Sequence, residues 1–391
     1  MNILVIGAGM YVTGRFSSGP GSVLATIGEV SKSMRIDGVT VVSKNDSSRE
    51  DVFIAVSEIN TILEIGLRVD YEALGENSIE KLKTILQKKE YDCGIIALPD
   101  HLHYDFAKVL IENSIHCLVV KPLTPTVKES MELIALQKNK NVYGVVDLHK
   151  RYDQANLLIK DAIQRGQIGK PQYVTVEYSQ RIKIPTIAFA KWVKLTNIFQ
   201  YLGVHYVDMI YFMTGYHPEK VLAVGTKGKL TELGIDTYDS IHALIIWKNP
   251  GNETEKLVSQ FSTNWIDPNT SSALSDQKYN VIGTKGRIEC DQKYRGIELV
   301  NEDGGIQTLN PYFSKYHSNA KGKKSYTGYD FESISQFIND VQDLRSGNST
   351  LEELDNLRPT FKESLGSTAV VDAVNRSLNN NSNWEFIDDL S

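Results

Sequence analysis

Two textures of apolar spacing divide the chain. Over the first 150 residues, short apolar runs ("NILVI", "VTVVS", "DCGIIAL", "HCLVV", "VYGVV") alternate with segments whose apolar residues recur at three and four: "EDVFIAVSEINTILEIG", "SIEKLKTILQKKE", "HYDFAKVLIENS" and "TVKESMELIALQKNK". That alternation implies parallel strands joined by crossover helices, so the pattern predicts an α/β, doubly wound parallel sheet. One more helix, "DQANLLIKDAIQRGQIG", ends on glycine, as helices often do. From Pro171 the texture is mostly strand-like: "QYVTVEYSQ", "KVLAVGTKG", "SIHALIIWK", "KLVSQFSTNW", "KYNVIGTKGRIECDQ" and "GIELVN", separated by Gly, Asn and Pro breakers. This second part reads as an α+β domain on a large, mostly antiparallel open sheet. The helix "TNIFQYLGVHYVDMIYFMTG" interrupts it, with Thr196 or Asn197 as N-cap and Gly215 as stop, and two more helices follow in "FESISQFINDVQDLRSGN" and "SLGSTAVVDAVNRSLNN".

With 391 residues, two domains are the expected division, placed here at 1–150 and 151–391. An apolar fraction of 41% and a charged fraction of 23% are those of an ordinary globular chain, and no window has the apolar length of a membrane span. A net charge of −6 without a basic tail or cluster argues against nucleic acid as a partner. The opening residues read as a strand rather than a secretory signal, and the three cysteines, Cys93, Cys117 and Cys290, lack metal-ligand spacing. The expectation is therefore a cytoplasmic protein with no metal site.

In an open parallel sheet, ligands bind beyond the carboxyl ends of the strands. The first such turn, "GAGMY", has the Gly7-Ala8-Gly9 backbone that lets a pyrophosphate approach, but Val12 stands where G-x-G-x-x-G places its third glycine. If Met10 to Gly21 form a loop inserted before a helix that begins near Ser22, close helix-strand packing is not required at Val12. Arg15 and the serines of that insert then become candidates to fold over a phosphate or a substrate. After the second strand stand Ser43, Lys44 and Asn45, with Arg49 nearby, where an NAD site wants a carboxylate for the ribose. Cations attract a 2′-phosphate, so the cofactor expected is NAD(P), leaning to NADP; Asp46 is the alternative ribose partner. The candidate cofactor contacts are Gly7, Gly9, Met10, Tyr11, Ser43, Lys44, Pro99, His101, His103 and Lys121, of which the last four follow later strands.

The stretch "LPDHLHYDFAKVLIENSIHCLVVKPLTPT", followed in order by "GVVDLHKRYDQANLLIKDAIQRGQIGKPQYVTVEYSQ", "YLGVHYVDMIYFMTG" and "YNVIGTKGRIECDQ", resembles the glucose-fructose oxidoreductase, inositol dehydrogenase and rhizopine-catabolism (Gfo/Idh/MocA) family over nearly the whole chain. The resemblance implies an N-terminal Rossmann domain, a C-terminal α/β domain with an open sheet, and a substrate cleft between them. It also implies oxidation or reduction of a carbinol carbon of a small-molecule sugar, inositol or polyol with NAD or NADP. The family's motif lysine falls on Lys121, and its D-x-G-x-H-x-x-D motif places the histidine at His205 and the trailing acid at Asp208. Two departures stand out: Val120 replaces the glutamate before the lysine, and Tyr201 replaces the leading aspartate. Association into a homodimer or homotetramer through the open sheet is a further implication of the resemblance.

Tyr201, His205 and Asp208 are spaced at four and three and so can share a helical face. The catalytic set expected is Lys121, His205 and Tyr201, with His205 as general base because an imidazole titrates near neutrality while an unshifted lysine stays protonated. Gly203 inside that helix suggests that something approaches its backbone closely. Substrate contacts are expected from Lys121, His149, Arg151, Tyr178, Trp192 and His205. A non-catalytic NAD(P)-binding sensor on the same scaffold, and an enzyme acting on a nucleotide sugar, are the alternatives.

Overall fold

Each apolar run of the first 150 residues becomes a strand, and one strand forms where no run announces it. In the computed structural model, which describes residues 1–15 and 21–388, the order is β1 (Asn2–Ile6), α1 (Met10–Thr13), α2 (Ser22–Val30), β2 (Gly38–Ser43), α3 (Arg49–Leu63), β3 (Val69–Ala73), α4 (Ser78–Lys88), β4 (Cys93–Ile96), α5 (His103–Glu112), β5 (His116–Val120), α6 (Val127–Lys140) and β6 (Gly144–Asp147). The six strands form one parallel sheet in the order β3-β2-β1-β4-β5-β6. Chain order reverses between β1 and β4, the switch point where doubly wound sheets hold ligands. The unannounced strand is β3, "VDYEA", which lies at the sheet edge on β2 and is only half buried. An edge position tolerates the polar residues that hide it from an apolar-run search.

The chain continues through α7 (Gln154–Gln164), β7 (Pro171–Arg181), α8 (Val204–Thr214), β8 (His217–Thr226), α9 (Lys229–Glu232), β9 (Ser240–Asn249), β10 (Asn252–Asp267), β11 (Ser275–Gly283), β12 (Arg287–Asp291), β13 (Glu298–Asn301) and β14 (Gly305–Thr308). It ends with β15 (Lys315–Ser318), β16 (Lys324–Thr327), α10 (Tyr329–Ser346), α11 (Leu351–Leu357), α12 (Leu365–Asn379) and β17 (Glu385–Phe386). Seven strands form the second sheet, ordered β12-β11-β7-β10-β9-β8-β17. Its pairs are antiparallel except β7 with β10. Residues alternate across it as a pleat requires: Val174, Val176 and Tyr178 of β7 and Ile241, Ala243, Ile245 and Trp247 of β9 enter a core shared with Met209 and Ile210 of α8 and Val370, Val371 and Val374 of α12. The other face stays half exposed.

Two structural units result, and their boundary departs from the expected division at residue 150. One unit comprises 1–124, 128–152 and 313–364; the other comprises 125–127, 153–312 and 365–391. The segment 313–364 therefore belongs with the parallel sheet. Ile334, Phe337, Ile338 and Val341 of α10 share a core with Ile3 and Val5 of β1 and Val23 and Ile27 of α2. Tyr143 donates to Asp340 at 2.8 Å, and Arg358 forks onto the same carboxylate at 2.8 and 3.0 Å. Backbone bonds from Val146 N to Pro359 O (2.9 Å) and from Phe361 N to Gly144 O (3.1 Å) cover the outer edge of β6. Such long-range pairing leaves no trace in local periodicity.

In the second unit, Asp153 N-caps α7 by accepting the Ala155 amide at 3.0 Å, and Arg295 forks onto its carboxylate at 3.1 and 2.6 Å. Among the described residues, no helix is long and apolar enough to cross a membrane.

Candidate active site

The turn after β1 has the geometry a pyrophosphate needs. Gly7 takes φ +117°, and a Cβ there would collide with the carbonyl of Ala97 beyond β4. Gly9 has open space where its Cβ would stand, leaving a side-chain-free cradle at the switch point. Met10–Thr13 form the short helix α1, so the stretch read as one long loop begins with a helical turn, and α2 starts at Ser22 as expected. The job of the missing third glycine has moved: a Cβ at Gly21 would overlap the backbone of Val12, so Gly21 is what lets α2 start tight against α1. Arg15 pairs with Asp51 at 3.2 Å, while Ser17 and Ser18 lie outside the described residues.

At the end of β2, Ser43 is buried, its hydroxyl 2.7 Å from that of Tyr71. Lys44 pairs with Glu76 at 2.9 Å, and Arg49 binds Asp46 and lies over the Tyr71 ring. Both cations are largely solvated. No carboxylate occupies positions 43 to 45, and Asp46 is held by Arg49.

Beyond β4 and β5, His103 corrects an expectation. Its ring is fully buried, with Nδ1 2.8 Å from the Pro122 carbonyl and Nε2 2.9 Å from that of Leu98. A neutral imidazole has one N–H, so the ring donates to one of these carbonyls and sets its other nitrogen beside the second, lying between the carboxyl ends of two neighbouring strands with both nitrogens turned to backbone of its own unit. Burial holds its pKa below the usual histidine value. Pro99 precedes Asp100, which is buried and accepts the His101 amide at 2.9 Å.

Lys121 follows β5 directly, and its peptide bond to Pro122 is cis. Burial lowers its pKa from the ordinary 10.5 to about 7; Asp100 and Asp147 oppose that shift and the nearby Lys150 reinforces it. An amine poised near neutrality accepts or donates a proton at working pH. Lys121 therefore joins histidine among the side chains able to exchange a proton near neutral pH.

Asp147 closes β6 and collects donors that the sequence reading did not find. Tyr11 donates to its Oδ2 at 2.5 Å and Ser333 of α10 to its Oδ1 at 2.6 Å. His149 Nδ1 lies 3.5 Å from Asp330 Oδ1 and 3.9 Å from Asp147 Oδ2, with its ring stacked on Tyr329, while Ser22 donates to Asp330 at 2.8 Å. Burial pushes the Asp147 carboxyl up, but His149, Ser333 and Tyr11 together outweigh burial and leave it below the ordinary value. Asp330, buried with Asp147 beside it, stays raised. His149, expected to contact substrate, thus turns Nδ1 to carboxylates of its own unit. Arg151, also expected there, is buried and pairs with Glu363 at 3.3 Å. The signal for Asp147 was available as a polar residue closing an apolar strand; Asp330 and Ser333 had none.

In the second unit, a wide π turn, Phe199–Gly203, leads into α8. Asn197 accepts the Gln200 amide at 2.9 Å, and Gly215 ends α8 at φ +71°, both as expected. His205 and Asp208 are buried in α8 proper, whereas Tyr201 lies in the π turn, so regular three-and-four spacing relates only the first two. The Tyr201 ring packs edge-on against Phe189 (4.7 Å) and near Trp265 (6.2 Å), and Trp192 lies on Phe189 at 4.3 Å. The close approach expected at Gly203 comes from Phe199, whose ring would be 2.8 Å from a Cβ there. Tyr178, expected to contact substrate, is instead a core residue edge-on to Tyr206 at 5.6 Å.

Comparison with known proteins accords with these features. Residues 1–147 match the model of an oxidoreductase family with an NAD-binding Rossmann fold, and residues 157–289 match the GFO/IDH/MocA C-terminal domain. A myo-inositol 2-dehydrogenase of Thermotoga maritima is 22% identical over 313 residues, 78% of this chain and 85% of that one. The scyllo-inositol dehydrogenase of Lactobacillus casei, solved with bound NAD(H) and scyllo-inositol, superposes with a TM-score of 0.65 at 16% identity over 99% of each chain, a likeness of fold. Matches to uncharacterized oxidoreductases of Schizosaccharomyces pombe and Escherichia coli cover 24% and 38% of those proteins.

Proposed function

Because the chain belongs to the Gfo/Idh/MocA family of oxidoreductases and has its NAD-binding Rossmann fold, we propose that it transfers a hydride between a nicotinamide dinucleotide and a carbinol carbon of a sugar, polyol or sugar derivative. The observation that carries this reading is Lys121: an amine at the carboxyl edge of the sheet, brought to about 7 by burial, in the position of the family's motif lysine. The named inositol dehydrogenases among the relatives support the substrate class. The nicotinamide, when bound, supplies the hydride acceptor or donor. Gly7 and Gly9 admit the pyrophosphate. Lys121 holds the reacting oxygen and moves its proton, His205 carries a proton from the position of the family's motif histidine, and Tyr201, packed on Phe189 and Trp265, stands where the family's leading aspartate is expected.

The proposal includes a preference for NADP, supported by Lys44 and Arg49 and by the absence of a carboxylate at positions 43 to 45. It includes a homodimer or homotetramer built on the half-exposed face of the second sheet, where Val224 is 45% exposed, and action in the cytoplasm.

The experiment is pyridine-nucleotide turnover with a panel of inositols, sugars and nucleotide sugars. Lys121→Ala and His205→Ala are each expected to lower kcat by about 10²- to 10⁴-fold, the usual worth of a positioned acid or base. Unchanged rates in both variants refute the assignment. The missing leading carboxylate at Tyr201 favours one other reading, a nucleotide-binding sensor, which predicts tight NADPH binding without hydride exchange.

A further inference from the structure

The stretch that breaks the glycine pattern is pinned at both ends to one buried cluster. At its start, Tyr11 donates to Asp147; at its end, Ser22 donates to Asp330. Ser333 of α10 takes the second oxygen of Asp147, and the His149 ring stands between the two carboxylates, 6.4 Å from the Tyr11 ring and stacked on Tyr329. Asp147 and Asp330 are 2% and 0% exposed, so these bonds act in a low-dielectric setting where a missing partner leaves a carboxylate unsatisfied. The Tyr11 and Ser22 bonds fix residues 11 and 22, which lie in α1 directly after Gly9 and at the start of α2, and the Ser333 and His149 contacts hold the carboxylates that receive them.

We propose that Tyr11, Ser22, Asp147 and Asp330 form a clamp that positions the phosphate turn for the dinucleotide, and that α10, returning from residues 329–346, supplies half of it. A third glycine would lock such a turn by close helix-strand packing. Here Val12 fills that position, and two charge-assisted hydrogen bonds hold the turn instead. The residues are positioning residues: they act on the cofactor through the backbone of 7–13. The inference rests on the nucleotide-binding reading of this fold and goes beyond it by naming what holds the turn.

The charged and titratable groups that act on the cluster include Tyr11, Lys121, Asp147, His149, Lys150, Tyr152, Tyr326 and Asp330. Asp330, held above the ordinary carboxylate value, takes up a proton before Asp147, held below it, so dinucleotide affinity in the wild type is expected to fall on acidification as the Ser22 anchor weakens first, and to fall less in Ser22→Ala.

The test uses the full-length protein and NADH and NADPH titrated by fluorescence, with steady-state kinetics alongside. Tyr11→Phe keeps the ring and removes only the hydroxyl; Ser22→Ala does the same at the other anchor. Each is expected to raise the dinucleotide Kd and KM by about tenfold, the worth of a charge-assisted bond, and in Ser22→Ala, which is not among the candidate cofactor contacts, kcat and substrate KM are expected to stay within about twofold. A merely structural residue would not split the constants in that way. Asp147→Asn, which retains an acceptor oxygen, is expected to weaken binding less than Asp147→Ala. Circular dichroism and thermal melting establish that each variant is folded. Wild-type-like Kd in folded Tyr11→Phe and Ser22→Ala overturns the clamp alone. A wild-type chain that binds neither dinucleotide overturns the nucleotide reading and the clamp with it.

Discussion

Replacing Lys121 by methionine is expected to abolish turnover and to make the folded protein more stable. The amine stands beyond β5 with its pKa brought from 10.5 to about 7, chiefly by burial. At about 1.4 kcal/mol per pH unit, that fall corresponds to about 5 kcal/mol spent in keeping a proton on the folded form at low pH. That net figure already includes the attraction of Asp100 and Asp147; because Lys121 is partly exposed, solvent screening makes the gain expected smaller, about 2 to 4 kcal/mol. For a group whose folded-state pKa is depressed in this sense, the cost is fully present below pH 7. It shrinks as pH rises from 7 toward 10.5, because the folded form has already shed its proton while the unfolded chain has not, and it vanishes above 10.5. In a unit of roughly two hundred residues, each kcal/mol moves Tm by about 2 to 4 °C. Calorimetry of wild type and Lys121→Met at pH 6.5, 8 and 10 is therefore expected to show a Tm gain of about 5 to 10 °C that declines with pH. An unchanged or lower Tm at pH 6.5, or a gain that does not decline by pH 10, refutes the claim that this lysine is held against its own solvation.

The same lysine sets a kinetic expectation: in a His205→Asn background, kcat/KM for carbinol oxidation rises through pH 7 as the neutral amine appears, kcat/KM for reduction falls through it, and a flat profile removes Lys121 from proton transfer. Gly21→Ala forces a Cβ into the Val12 backbone and is expected to lower Tm and weaken NADH binding together, because the start of α2 must retreat from α1; thermal melting and NADH titration check both. Asp153→Ala leaves the guanidinium of Arg295, 5% exposed, without its forked partner and is expected to cost about 3 to 5 kcal/mol in urea unfolding. Arg49→Ala is expected to lower kcat/KM with NADP about tenfold, the worth of one phosphate ion pair, and to leave NAD within about twofold; equal losses refute the cofactor preference.

How far the sequence could be read follows from the range of the forces involved. Burial on both faces makes β1, β2, β4, β5 and β6 apolar whatever surrounds them, so local pattern revealed them; β3, at the edge, needs only one covered side and went unseen. The stops were equally local: Gly215 adopts a positive φ that other residues resist, and Asn197 supplies an oxygen to an amide three residues on. Lys121 and His205 were legible because their motifs are contiguous.

The roles of His103, His149, Arg151 and Tyr178 were not legible, since a histidine buried between two backbone carbonyls and one facing a ligand carry the same letter. Nor does any period in the sequence say that 313–364 returns to the first sheet, that Asp330 and Ser333 meet Asp147 and Tyr11, or that burial takes an amine to neutrality. By itself, then, the sequence determined the elements, their class and the order of the motifs, because backbone propensity and amphipathic spacing act over a few residues. The tertiary structure decided which residues are clamps, cores or acids, because desolvation and hydrogen bonding depend on neighbours that lie a hundred or more positions away.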